Sequence, residues 1–273
     1  MKKIAIMFLA LAMATSFVMA EEGGFSAGLE LVFPDVTGDG DFALTAIPFV
    51  GYEGALMDGA LDLNAKLNLE LGVLSDEFGD DMPIRLLLEL GTAYNVSEEL
   101  AILLDLDFGL HIAPDIGDDT MLLQFTPGIK YSMAMDFGDV FAQVKLPLAL
   151  SGMKMFGEWG PGSFEQDLEA FCLITLGWAN NGIGFELTPM LHLTGDDVYC
   201  GLILLGSYES GPLYAELEIA LPDDFDYGIT LTPFVEYSVS EELKVWFGLE
   251  IGNIAAEYGD VAITPFLGVK YSF

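Results

Sequence analysis

The run Leu61-Asp-Leu-Asn-Ala-Lys-Leu-Asn-Leu-Glu-Leu71 alternates apolar and polar residues without an error. A period of two held over this length is a β-strand with one apolar and one polar face. Leu100 to Ile112 repeats the pattern, with Asp105, Asp107 and His111 on the polar phase. Working outward gives fourteen such runs, over 25–34, 41–52, 60–73, 83–95, 100–113, 120–132, 139–150, 168–179, 183–193, 198–209, 212–221, 227–239, 243–253 and 261–273. Turn residues separate them, among them Asn180-Asn181-Gly182, Gly195-Asp196-Asp197, Ser210-Gly211 and Pro222-Asp223-Asp224. The apolar phase carries no charged residue or histidine in any run, and Thr92 is its one clearly polar member.

The composition demands such a segregation. Of 273 residues, 43 are Asp or Glu and 9 are Lys or Arg, for a net charge of −34, yet the chain is 52% hydrophobic. Mean hydropathy is +0.47. Disorder goes with high charge and low hydrophobicity, so this chain is not disordered. It also lacks the basic surface that neutralises phosphates, which argues against nucleic acid as a partner.

Residues 1–20 have a basic start at Lys2-Lys3, an apolar run from Ile4 to Leu11 and small residues before Glu21. That pattern predicts a secretory signal peptide cleaved near Ala20. Residues 21–273 then form a single domain. No later segment offers the ~18 uninterrupted apolar residues of a membrane helix.

A soluble sandwich buries its apolar phase, whereas a membrane barrel turns it to lipid. Three features favour the barrel. The runs suit the ~9–11 residues of a tilted membrane strand better than the ~5–6 of a globular one. Near the end of every even run the apolar phase carries an aromatic: Tyr52, Tyr94, Tyr131, Trp178, Tyr208, Tyr237 and Tyr271. Rings of this kind form a girdle at the membrane–water boundary. The connections that follow these aromatics are mostly short, while the longest, 151–167, falls at the other end. The expected fold is therefore all-β, a transmembrane antiparallel up-and-down barrel of about 14 strands, within a range of 12–16.

Leu267, Val269, Tyr271 and Phe273 alternate to a C-terminal Phe, which resembles the assembly signal that bacterial barrel-assembly machinery reads. The whole chain after residue 20 resembles a bacterial outer-membrane β-barrel, and in size and strand count it is similar to small monomeric fourteen-stranded porins. The resemblance implies the outer membrane of a diderm bacterium as the location, and lipid and the assembly machinery as partners.

Repeats support one domain. Tyr94-Asn-Val-Ser-Glu-Glu-Leu100 and Tyr237-Ser-Val-Ser-Glu-Glu-Leu243 differ at one position, as hairpin duplication would give. Pro48, Pro127, Pro147, Pro189, Pro233 and Pro265 fall within runs, where each removes a ladder donor. Bulges, broken pairing or a run split into two shorter strands are expected there.

The polar phase should line a lumen, because fourteen strands enclose more space than eight. Only residues 21–24 precede the first run, so no N-terminal plug is expected. Inward glycines such as Gly28, Gly248 and Gly268 leave room for aromatics such as Phe49, Phe234, Trp246 and Phe266. Inward acids outnumber the bases Lys66, Arg85, Lys130, Lys145, Lys244 and Lys270. Arg85 or Lys66 could pair with Glu89 or Glu70. Asp105 and Asp107 share the inward face of one strand, and Glu216 and Glu218 share that of another. With Glu89, Glu186, Lys66, Arg85 and Lys145 they are the candidate pore-lining and selectivity residues. Carboxylates in excess concentrate cations and repel anions.

Acidic outer loops, including Asp39 and Asp41, Asp76 to Asp81 and Asp223 to Asp226, suit loosely held Ca²⁺ or another divalent cation, though solvated loops are the simpler reading. No cofactor and no specific metal site is expected. Met153, Met155, Phe156, Trp159 and Phe164 make 151–167 an apolar loop that could constrict the pore. His111 and His192 both fall on the inward phase, and no nucleophile–base pair lies on the outward one, so no enzyme is expected. Cys172 and Cys200 should be separate outward thiols. The expected function is a channel for passive diffusion of small hydrophilic solutes, preferring cations. The alternative is a non-conducting surface barrel serving as an adhesin or structural protein.

Overall fold

The computed structural model describes residues 22–33, 36, 44–74, 84–112, 120–154, 167–194, 197–221, 228–256 and 260–273. Its strands are β1 (Glu22–Val32), β2 (Leu44–Leu56), β3 (Leu61–Leu74), β4 (Ile84–Asn95), β5 (Leu100–Ile112), β6 (Thr120–Met135), β7 (Gly138–Lys145), β8 (Leu148–Lys154), β9 (Asp167–Asn180), β10 (Ile183–Thr194), β11 (Asp197–Ser210), β12 (Leu213–Leu221), β13 (Ile229–Ser238), β14 (Leu243–Ile254) and β15 (Ala262–Ser272). Each pairs antiparallel with its sequence neighbours, and β15 returns to β1 from Ser26↔Ser272 to Val32↔Phe266. β7 and β8 are two halves of one barrel strand, since both lie between β6 and β9. The chain is a closed barrel of fourteen strands.

The division between β7 and β8 corrects the single run expected over 139–150. The break falls at Leu146 and Pro147, where Leu146 N–H donates to the Pro127 carbonyl (2.9 Å) and Phe171 N–H to the Pro147 carbonyl (3.1 Å). Pro127, opposite Leu146, lacks the N–H that would return that bond on the β6 side, and Pro147 lacks one on the β9 side, so both flanks lose a donor at the same level. β8 then continues to Lys154, which pairs with Thr120, so Lys154 ends a strand rather than lying in a loop.

Other prolines interrupt one flank only. Pro48 stays in register with Leu29 on β1, while pairing to β3 lapses between Ala46 and Phe49. Pro189 holds Leu202 and lapses toward β9, and Pro233 holds Leu217 and lapses toward β14. A missing N–H costs only the ladder it would have donated to, so the other ladder continues.

Connections at the rim that carries the even-strand aromatics are short. They span 57–60, 96–99, 136–137, 181–182, 211–212 and 239–242. Asn181 (φ 50°) and Gly182 (φ 77°) form the left-handed pair a two-residue hairpin needs. Met57, Asp58 and Gly59 also take positive φ, which lets β2 run on past Tyr52 to Leu56. The two near-identical repeats fold alike. Ser97 Oγ accepts from Glu99 N–H (3.3 Å) and Leu100 N–H (3.1 Å), and Ser240 Oγ accepts from Glu242 N–H (3.3 Å) and Leu243 N–H (3.1 Å).

The apolar phase faces outward. Ile102, Leu176, Phe185 and Phe247 are each about half exposed on the outside of the barrel, and no other element among the described residues covers them. Thr92, the polar exception, donates its hydroxyl to the Leu104 carbonyl (3.0 Å) and so presents a methyl to lipid. Cys172 and Cys200 both lie in register with Leu191, one on each side of β10, and both are free thiols.

On the inner face several rings rest on glycine. Phe49 fills the space a side chain at Gly28 would take, Phe266 that at Gly248, Trp246 that at Gly268, and Phe141 that at Gly177. A Cβ at any of these positions must collide with a ring, and at Gly28 with the Val269 carbonyl as well. Gly268→Val is therefore expected to destabilise the folded barrel by ~1–3 kcal/mol, read as a lower urea midpoint. An unchanged midpoint would show that Trp246 has another resting place.

Candidate functional site

The polar phase of the strands forms the inner wall, and ladder register sets which side chains share a row across it. One row is Lys66–Glu89–Asp107–Gln124 on β3 to β6. The row beside it is Asn64–Gly91–Asp105–Thr126. Asp105 receives Lys145 Nζ at 2.6 Å, reaching over Gly128 of the intervening β6. Asp107 accepts an amide proton from Gln124 (3.2 Å) and has no ion-pair partner among the described residues. Glu89 accepts from Asn68 Nδ2 at 2.6 Å.

Arg85 pairs with Glu70 (3.5 Å), as the sequence suggested it could. Lys66 does not pair with Glu89, although the two are direct register partners. It leans one row away, and its Nζ lies 5.0 Å from the Phe49 ring centroid. A flexible four-carbon stem reaches a diagonal ring as easily as the opposite carboxylate. Lys130 likewise lies 4.5 Å from the centre of Phe141.

Glu216 and Glu218 project from β12, and Glu186 from β10. Tyr214 donates its hydroxyl to Glu216. Glu186, Glu218 and Glu250 form no ion pair with a described residue. The remaining ion pairs among the described residues are Lys244–Glu236 (2.7 Å) and Lys270–Glu53 (3.5 Å). Each named pair links neighbouring strands or strands one apart, so none of them bridges the bore. Space remains beside them. A recess of about 600 Å³ is bordered by Glu53, Asp62, Asp105, Lys130, Gln143 and Lys145. Another of about 330 Å³ is bordered by Glu30, Phe49, Lys66, Phe234, Glu236 and Trp246.

Glu53 was missed because the run seemed to end at Tyr52. The parity that placed Gly28 and Lys66 inward would have found it, had the Met57-Asp58-Gly59 turn been read as the boundary. The hydrogen bonds of Asn68, Gln124 and Tyr214 were not legible either, since they depend on rotamers rather than on parity.

Outside, Tyr94, Tyr131, Tyr208, Tyr237 and Tyr271 stand exposed near the short-turn rim, and Trp178 donates its indole N–H to the Phe137 carbonyl (3.0 Å). Tyr52 differs: it is 4% exposed, packs on Phe25 with centroids 5.0 Å apart, and its hydroxyl has no hydrogen-bond partner. Phe273 N–H donates to the Phe25 carbonyl (2.8 Å), adding a bond to the closure.

Some expectations lie outside the described residues. These are the signal peptide, the acidic outer loops with their divalent cation, and the apolar segment 155–166; the side chains of His111 and His192 are likewise not described. Among the described residues no group of three His, Cys, Asp or Glu is placed to hold a metal ion.

Thiol labelling reads the two faces. In a background with Cys172 and Cys200 changed to serine, Gln143→Cys should react with a charged, water-borne thiosulfonate. Leu176→Cys, half exposed on the outside, should react only with an apolar maleimide once the barrel is in lipid. The opposite pattern would mean that the faces are assigned the wrong way round.

No family model and no curated protein matches this sequence. Solved structures do match. The toluene transporter TodX of Pseudomonas putida aligns with a TM-score of 0.54 at 12% identity, over 95% of this chain and 91% of that one. A deletion mutant of TodX, described as a monoaromatic hydrocarbon channel, gives 0.55 at 12% identity, over 95% and 92%. A mutant porin of Rhodopseudomonas blastica aligns at 0.48 and 12% identity, over 92% and 99%. The shared property is the fold, and the chain is a closed, fourteen-stranded antiparallel transmembrane β-barrel.

Proposed function

We propose that this barrel is a bacterial outer-membrane channel through which small hydrophilic solutes diffuse passively, with a preference for cations. The observation that carries this reading is the charge balance of the wall around open space. Four lumen bases are taken up by Glu53, Glu70, Asp105 and Glu236. Glu89, Asp107, Glu186, Glu216, Glu218 and Glu250 are left without a basic partner among the described residues. A mobile cation is the natural counterion for such a surface, and an anion meets repulsion along it. In this reading Asp107 and Glu218 are carboxylates without an ion-pair partner among the described residues, whereas Asp105 is paired with Lys145.

The exposed tyrosines and Trp178 would hold the short-turn rim at one membrane boundary. A secreted precursor, cleaved near Ala20, would reach the outer membrane, where the assembly machinery would read the strand ending in Phe273. The barrel's own residues do this work without a cofactor, and no catalytic step is assigned to it.

A unit charge ~5 Å from the ion path is worth about 0.8 kcal/mol at the dielectric of water. Replacing Asp107, Glu216 and Glu218 by their amides should therefore lower the cation-to-anion permeability ratio severalfold, read as a reversal potential moving toward zero in a planar bilayer under a salt gradient. Lys145→Met should move it the other way, by freeing Asp105. Both effects should shrink at about 1 M salt, where the screening length falls to ~3 Å. Folded, inserted protein that passes no current would overturn the channel reading and favour a barrel that only presents its surface. Deleting Phe273 should slow assembly in cells while leaving detergent-refolded protein able to close. Unaltered assembly in cells would remove Phe273 as a signal.

A further inference from the structure

The inner wall from β12 through β15 to β2 differs from the rest of the lumen, and this inference rests on the channel reading above. Rings and carboxylates stand together there in two adjoining rows. One row is Glu216–Phe234–Gly248–Phe266. The other is Tyr214–Glu236–Trp246–Gly268–Glu30. Each glycine seats the ring beside it, so Phe266 and Trp246 lie along the wall instead of across the bore.

The rings fall into two packed groups. Tyr214 and Phe234 have centroids 6.3 Å apart, Phe234 and Phe266 stack at 6.3 Å and 22°, and Trp246 and Phe49 are 6.1 Å apart. Their polar ends are tied to carboxylates: Trp246 Nε1 donates to Glu30 (2.9 Å) and the Tyr214 hydroxyl to Glu216. An N–H or O–H bonded to an anion leaves its ring richer in electrons, which strengthens attraction to a positive charge over the face. Glu30 and Glu236 also border the 330 Å³ recess that Phe234 and Trp246 line, a volume suited to a small organic molecule.

Lys66 and Lys270 also border this recess, yet Glu30 and Glu216 have no ion-pair partner among the described residues and so remain available as counter-charges. Lys244 is held by Glu236 and Lys270 by Glu53, while Lys66 lies against the Phe49 ring. Lys66 on Phe49 and Lys130 on Phe141 show that this lumen already places ammonium groups on its rings. A neutral aromatic solute would use the rings and leave the carboxylates idle. A hydrated metal cation would use the carboxylates and leave the rings idle.

We infer that this wall is a binding track for small organic ammonium ions, with the cationic head over Trp246, Phe234 or Phe266 and a neighbouring glutamate as counter-charge. Choline is the probe, and its neutral isostere 3,3-dimethylbutan-1-ol is the control. Millimolar choline should interrupt single-channel potassium current, and the isostere should not. In Trp246→Leu/Phe266→Leu the choline concentration needed should rise about tenfold, the loss expected for removing one or two exposed cation–π contacts. If that variant does not fold, Glu30→Gln with Glu216→Gln removes charge while leaving the rings in place, and should weaken block likewise.

Equal effects of choline and isostere, or block that survives both variants, would overturn the inference while leaving the channel reading intact. A protein that passes no current would fail the channel reading alone. Calorimetric titration of the folded barrel in detergent then decides: choline heat lost in the variants supports the track, and absence of heat in the unaltered protein overturns it.

Discussion

Hydrocarbon offers no hydrogen-bond partner, so each lipid-facing peptide group must find one in the neighbouring strand. That constraint forbids an open edge, and it is met by the seam between β1 and β15. The seam runs from Ser26↔Ser272 to Val32↔Phe266, with Phe273 N–H adding a further bond to Phe25. Once the ring is closed, parity does the rest. Inward positions on one strand face inward positions on the next, and every row of the lumen follows from register.

Parity also explains how much was legible in the amino-acid order. Leu61 to Leu71 alternates so cleanly that strand, faces and orientation follow from it, and the same parity placed Asp105, Asp107, Glu216 and Glu218 on the wall. What parity cannot see is reach. Lys66 stands directly opposite Glu89 but prefers a ring one row away, and Lys145 passes over Gly128 to meet Asp105 on the strand beyond. A flexible side chain spans more than one ladder spacing, so contact lists depend on rotamers and on where a glycine leaves room. Strand ends were hidden for another reason. Residues 57–59 carry their boundary in backbone dihedrals that Met57 and Asp58 do not advertise by type.

The prolines show how a barrel tolerates residues that a ladder excludes. Pro48, Pro189 and Pro233 each keep one neighbour and lapse toward the other, so the loss stays local. The strand itself divides where Pro127 withholds a donor from one flank and Pro147 from the other. The difference between a lapse and a break is thus whether one flank or both flanks of a strand lose a donor at the same level, not the presence of a proline as such.

The matched turns at 96–99 and 239–242 carry a wider implication. Each joins a descending strand to an ascending one, uses a serine hydroxyl to receive two amides, and passes a carbonyl to the strand that follows: Glu99 to Ser132 (2.7 Å) and Glu242 to Ser272 (2.8 Å). The hairpin therefore carries within itself the fittings for its own attachment to a neighbour. A gene that copies such a unit lengthens the ring by two strands and keeps the faces in phase. Circumference, and with it the bore, becomes a quantity that ancestry can change in discrete steps without inventing a new fold.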